Sequence, residues 1–353
     1  MSESYGVNTD ALFFTSLETP AAIDRVNGEL APAIRDLAEQ IASTPNPRLY
    51  LTGGGASLAA MMSGSWLLER FTKIPVSAQT GWQLLSRAPA GIDEQAFVFG
   101  TSYSGQTPEV LETLRLAKER GATTVGLTNT AETPLAQLAD RALDFRSKAV
   151  YTAPLAILYR LAGELLQLTG EGPDQGEAII TGLEALPEKV ADLAEATWRD
   201  AKAKAAEAAD VDAFYVVAGG PNYGLAHKLA LSVVIENLWK DAAPVDAGEF
   251  YHGPIEIIPQ RGAADDKRMF VHLLGDDASR RAGQQAVDFC AKTGARQIVF
   301  DATEHLGFGS PFTPFGLFVP TEWWVMHMAA QKGHDVDERR YMGKIGARWG
   351  EYA

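Results

Sequence analysis

An α/β fold built as two tandem units, each a doubly wound parallel sheet flanked by helices, is what this 353-residue sequence predicts. Three observations carry the expectation. Short apolar runs alternate with helical stretches through both halves of the chain. Two of those runs, RLYLTGGG at 48–55 and AFYVVAGG at 213–220, end in glycines and lead into a helix. The length suits two domains at about 100 to 200 residues each.

The first 20 residues show no clear period. Pro20 opens a helical stretch, AAIDRVNGELAPAIRDLAEQIAS, which PNPR at 45–48 ends. After the first glycine turn the pattern predicts a helix at 57–70 and strands at 74–79 and 96–102. The helix TPEVLETLRLAKERG follows at 107–121, with Gly121 where a C-terminal cap belongs. Next come a strand at 123–128, a short helix at 133–140, a strand at 142–145 and a helix at 151–171. EGPDQGEAI at 171–179 reads as a loop, and an Ala- and Glu-rich helix at about 186–209 as a connector. The second half repeats strand, glycine turn and helix from 213, with later strands at 268–274 and 297–301 around a helix at 278–294. The expected units are 25–170 and 190–345, joined by a connector loop and helix at 171–210. The halves share architecture but little residue identity.

The charge sum is 31 − 45 = −14. That argues against a nucleic-acid-binding surface or an anionic-membrane binder, since both need clustered Lys and Arg. No run approaches the ~18 apolar residues of a membrane span. The N-terminal MSESYGVNTDALFF lacks the basic and apolar regions of a signal peptide. A single cysteine, Cys290, excludes an intrachain disulfide framework and a multi-cysteine zinc site, and fits a reducing cytoplasm. It is expected to be a small buried residue. His305 and His334 have no metal-ligand spacing with His252, so no metal is expected.

The segment FGTSYSGQTPEV at 99–110 gathers Thr101, Ser102, Ser104 and Thr107 around Gly105, directly after a buried strand and before a helix. In a parallel sheet that junction is the carboxyl edge, where ligands bind. Hydroxyl donors beside the unpaired N–H groups and positive dipole end of a helix make an anion site, and phosphate is the anion they suit best. A plain capped turn is the competing reading, with Thr107 as N-cap and Pro108 as N1. The turn LTGGGASLAA at 51–60, which holds Gly55 and Ser57, matches neither a dinucleotide fingerprint nor a Walker A loop. By itself it reads as a structural tight turn.

Acid–base candidates lie in the second half. Glu236 sits in the apolar helical run LALSVVIENLWK, and a carboxylate beside apolar neighbours suits proton transfer near neutrality. A solvated Glu on the helix's polar face is the alternative. Sixteen residues on, His252 precedes Gly-Pro in EFYHGPIEII, which ends any regular element and leaves either an acid–base loop histidine or a surface one. Lys344 stands between glycines in DERRYMGKIGARW.

Together these segments resemble a known family. SYSGQT at 102–107 is similar to the S-x-S-G-x-T signature of sugar isomerase (SIS) domains, which bind phosphosugars, and GGGAS at 53–57 to their first glycine turn. The second half resembles the isomerase half of glucosamine-6-phosphate synthase, where a helix Glu lies sixteen residues before the His of E-x-x-H-G-P; Glu236 and His252 keep that separation. DVDERRYMGK at 335–344 is similar to the tail that carries that family's active-site lysine. The sequence shows no glutaminase domain or N-terminal catalytic cysteine, and EFYHGPIE and RRYMGK look most like fructosamine-6-phosphate deglycases.

The resemblance implies a 6-phosphofructosyl amine as substrate. Its phosphate would be held by Ser57, Ser102, Ser104 and Thr107, with Gly55 and Gly105 shaping the turns. Glu236 would act as base at C1, His252 in opening the sugar ring, and Lys344 on the sugar oxygens or as a Schiff base. No cofactor is implied, and a homodimer is. The alternatives are a glucosamine-6-phosphate deaminase or aldose–ketose isomerase, and, in another class, a phosphosugar-sensing protein without catalysis. Stretches 79–90 and 303–317, with Trp82 and Phe308, are expected to line the amine pocket, although core is the better reading for each aromatic singly.

Overall fold

The computed structural model describes residues 5–259, 266–305 and 307–341. They fall into two compact units, one of residues 18–187 with 340–341, the other of residues 5–17 with the described part of 188–339.

The first unit opens with α1 (Thr19–Asn27) and α2 (Ala31–Ser43). The predicted single helix is thus two, parted at Gly28–Leu30, and each half buries its own stripe (Ile23 and Val26; Ile34, Leu37 and Ile41). Then follow β1 (Arg48–Gly53), α3 (Gly55–Phe71), β2 (Val76–Thr80), α4 (Gly81–Arg87), β3 (Ala96–Thr101), α5 (Pro108–Glu119), β4 (Thr123–Thr128), α6 (Pro134–Leu138) and β5 (Arg141–Asp144). The five strands form one parallel sheet in the order β2-β1-β3-β4-β5. Every residue of β3 is buried, as a central strand covered on both faces requires.

Helix α7 (Thr152–Thr169) is buried along most of its length and packs against α1, α2 and α3. Gly64 of α3 permits the closest approach, since a Cβ there would lie 2.2 Å from Leu158 Cδ1. The stretch expected to be a loop at 171–179 instead begins α8 (Pro173–Glu184). Pro173 occupies its first turn, and Ile179, Ile180 and Leu183 bury against α7. The anchoring residues fall at and beyond the end of the polar segment, so its composition concealed the helix.

The second unit contains α9 (Leu186–Glu207), β6 (Ala213–Ala218) and α10 (Tyr223–His227). From α10 the chain continues as a π-helical stretch over Lys228–Ile235 and a last α-turn, α11 (Glu236–Leu238), ended by Trp239 at φ +55°. Then come β7 (Asp241–Asp246), β8 (Arg268–Leu274), α12 (Arg280–Thr293), β9 (Gln297–Asp301) and α13 (Thr313–Gln331). The sheet is again parallel, in the order β7-β6-β8-β9.

Two elements of this unit carry no sequence pattern. β7, DAAPVD, is bounded by aspartates and contains Pro244, which an edge strand tolerates. α13 is apolar on every side because it is buried on every side, so it shows no amphipathic stripe. Its first turns occupy part of the 303–317 stretch expected at an amine pocket. Among the described residues, no helix is long and apolar enough to cross a membrane.

Candidate active site

The order of the first sheet reverses between β1 and β3, so the loops that follow these two strands diverge and leave a crevice. Both loops are the glycine- and hydroxyl-rich ones. A Cβ on Gly53, at the end of β1, would lie 2.9 Å from Thr101 Cγ2 at the end of β3, so glycine lets the two turns meet. Gly55 and Gly105 have φ +54° and +62°, which side chains disfavour. A Cβ on Gly105 would also lie 2.4 Å from Thr133 Cβ.

Ser102 Oγ and Thr107 Oγ1 share a hydrogen bond of 2.7 Å, and Ser104 Oγ accepts from the Gln106 N–H at 3.2 Å. Ser102 is buried and Ser104 exposed; Ser57, in the first turn of α3, is 8 % exposed. Thr107 holds the N-cap position of α5, but its hydroxyl turns to Ser102 and caps nothing. The N-cap of α3, Gly54, has no side chain to offer. Two helix N-termini without side-chain caps therefore open at one switch point, with hydroxyls beside them. That is an anion-binding arrangement.

Glu109, which sequence reasoning passed over, lies in the first turn of α5. The residue is 7 % exposed, its Cγ and main-chain carbonyl pack on Gly81, and Oε2 has no hydrogen-bond partner among the described residues. An acidic residue in a first turn is favoured by the helix dipole. The T-P-E sequence was the available clue.

At the matching edge of the second sheet the loop after β8 reads Gly275-Asp276-Asp277-Ala278-Ser279, with carboxylates in place of hydroxyls. Asp276 accepts the Ser310 N–H at 2.6 Å and Asp277 the Ser279 N–H at 2.8 Å. Arg280 forks onto Asp301 at 2.7 and 2.6 Å. Burial opposes ionisation of Asp301, but the Arg280 hydrogen bond prevails and holds its carboxyl at about 2. This edge does not favour an anion.

Glu236 lies in the second unit at the end of the π-helical stretch. Val233 and Val234 turn into the core, whereas Ile235 is 42 % exposed. Its carboxylate is not enclosed by apolar side chains, as the sequence suggests, but receives the Arg339 Nε–H on Oε1 at 2.9 Å. Two turns earlier, Lys228 is buried against Phe13 and Phe318, 3.6 Å from Glu322. Burial lowers the pKa of Lys228, opposed by Glu322 and Glu236. Glu322 accepts the N–H and hydroxyl groups of Thr15 and Ser16 at 2.7–3.0 Å, so this buried charge is paired and hydrogen-bonded.

His252 is exposed in a short 3₁₀ turn after β7, and its backbone N–H bonds to Glu249 O at 2.9 Å. No hydrogen bond joins it to Glu236 among the described residues. Lys344 lies outside the described residues.

Trp82 is half-exposed, whereas Phe308 is buried against Gly316 as core. Cys290 is buried, and burial pushes its thiol up to about 12. Among the described residues, no group of three or more His, Cys, Asp or Glu side chains could hold a metal.

Residues 44–162, which include both loops of the switch point, match the SIS domain family model. The chain carries a SIS domain. Beyond that domain the similarity runs nearly end to end. The chain is 29% identical over 325 residues to fructoselysine 6-phosphate deglycase of Escherichia coli (strain K12), covering 92% of this chain and 93% of that one. It is 28% identical to a fructosamine deglycase of Bacillus subtilis (strain 168), covering 92% and 98%. A proposed phosphosugar isomerase of Bacillus subtilis superposes with a TM-score of 0.81 at 26% identity, covering 92% of this chain and 98% of that one. The two parallel sheets are the fold those relatives lead one to expect.

Proposed function

We propose that the chain is a cytoplasmic, homodimeric deglycase that splits 6-phosphofructosyl amines into glucose 6-phosphate and a free amine or amino acid. The observation that carries this reading is the near-full-length similarity to two deglycases, named for fructoselysine 6-phosphate and for fructosamine. The uncapped helix ends and hydroxyls of the first unit, Ser57, Ser102, Ser104 and Thr107, supply donors for the 6-phosphate. A phosphate is recognised there by local donors, so a net charge of −14 does not oppose it.

Glu236 takes the proton from C1, next to the C2 carbonyl of the open-chain sugar, and the electron pair moves to give an enaminol. Reprotonation at C2 gives the aldose imine. Water adds to the imine carbon and the amine leaves. His252 serves ring opening, and Lys344 engages the sugar oxygens. Every atom balances with water as the one co-reactant.

The test is a panel of 6-phosphofructosyl amino acids assayed for glucose 6-phosphate release, beside glucosamine 6-phosphate assayed for ammonia. Turnover of the first and not the second is expected, as is a loss of kcat by at least a hundredfold in Glu236→Gln. Ammonia release alone would assign a deaminase, and Glu236→Gln at full rate would remove the base. Light scattering at working concentration checks the dimer.

A further inference from the structure

We infer that Arg339 is a positioning residue for Glu236: it pins one carboxylate oxygen so that the other faces the substrate. This rests on the reading of Glu236 as the base. The guanidinium is braced at both ends. Nε donates to Glu236 Oε1 at 2.9 Å, while Nη1 donates to the carbonyls of Val336 at 2.8 Å and Glu338 at 3.3 Å. Glu236 Oε2 has no hydrogen-bond partner among the described residues.

The brace extends beyond one ion pair. Asn237, 1 % exposed, donates its side-chain N–H to Val336 O at 2.7 Å. His334 Nε2 meets Asn237 O at 2.5 Å, and its ring stands edge-on to Trp239 at 4.4 Å. Residues 334–339 are thus stitched to 236–239, where the helix ends in a left-handed residue and would otherwise fray.

The physical need is plain. A glutamate at a helix end has three rotatable bonds, and fixing them costs rotamer entropy. Proton transfer from carbon demands a fixed oxygen, and a displacement of ~1 Å can lower a rate by about a hundredfold. An exposed ion pair between mobile side chains contributes little to stability. A pair whose arginine is anchored to two main-chain carbonyls holds geometry instead.

The experiment compares Arg339→Ala, Arg339→Lys and Glu236→Gln in the full-length protein on a 6-phosphofructosyl amino acid. Arg339→Ala should lower kcat by about tenfold to a hundredfold with KM within about twofold, because the substrate contacts are untouched. Arg339→Lys should keep an intermediate rate, and millimolar guanidinium should restore part of the Arg339→Ala rate without accelerating Glu236→Gln. Thermal melts of each variant separate loss of fold from loss of rate. Arg339→Ala at wild-type kcat beside an inactive Glu236→Gln overturns this inference alone. So does a loss of kcat that neither lysine nor guanidinium recovers in any part. Glu236→Gln at full turnover refutes the base reading beneath it.

Discussion

His272 makes the stability of the second unit depend on mild acid. It sits on β8 with no solvent exposure, and neither ring nitrogen has a hydrogen-bond partner among the described residues. Burial lowers its pKa to about 4, weakly opposed by Gln297 beside it. The unfolded chain binds that proton near 6.5. The folded pKa is therefore depressed, and the unfolded state is the one that gains a proton as the pH falls through 6.5. Stability is full above that value, declines between about 6.5 and 4, and levels off below.

A 2.5-unit difference amounts to about 3.4 kcal/mol in the limit, at 1.36 kcal/mol per unit. Between pH 7 and pH 5 the loss is about 1.8 kcal/mol. His272→Phe removes the titration while keeping a ring of similar size. Urea unfolding of wild type and variant at both pH values reads the difference, whatever the variant's absolute stability. The wild type should lose about 1.8 kcal/mol more than the variant over that interval. Equal losses in the two proteins, or an NMR titration of the native His272 near 6.5, would refute the reasoning.

Gly105→Ala should raise KM for a phosphorylated substrate by about tenfold or more with kcat little changed. Alanine at φ +62° costs about 1–2 kcal/mol, and its Cβ would force the loop away from Thr133; steady-state kinetics check it. Gly64→Ala should destabilise the first unit by about 1–3 kcal/mol, because the new Cβ collides with Leu158 in the α3–α7 contact. Circular-dichroism melts would show it as a fall of several degrees in Tm.

The sheet strands with apolar runs were legible from sequence because a buried parallel strand has few ways to look. AFVFGT and RMFVHLL are almost continuously apolar, and each is buried along nearly its whole length. Elements were missed where burial and composition part company. β7 is an edge strand of small residues and a proline between two aspartates, paired with β6 and hardly buried. α13 lacks a period because it lacks a solvent face. At the candidate site, Ser102, Ser104, Gly105 and Thr107 were readable as one contiguous stretch. Arg339 was not, since its partner Glu236 is 103 residues away and only the fold brings them together. For the same reason the apolar neighbours of Glu236 misled: a helix turns by about 100° per residue, so Val234 faces the core while Ile235 and Glu236 face outward.

The missing side-chain caps on α3 and α5 have a thermodynamic corollary. Each orphaned helix start forgoes about 1 kcal/mol that a serine or aspartate cap would contribute. A bound phosphate would complete both helices at once, so ligand and fold become linked quantities. Saturation at a hundred times Kd adds about 2.7 kcal/mol to the folded state. The strand ends beneath the two turns should then exchange their amide hydrogens more slowly. The chain would be most resistant to proteolysis when its substrate is plentiful.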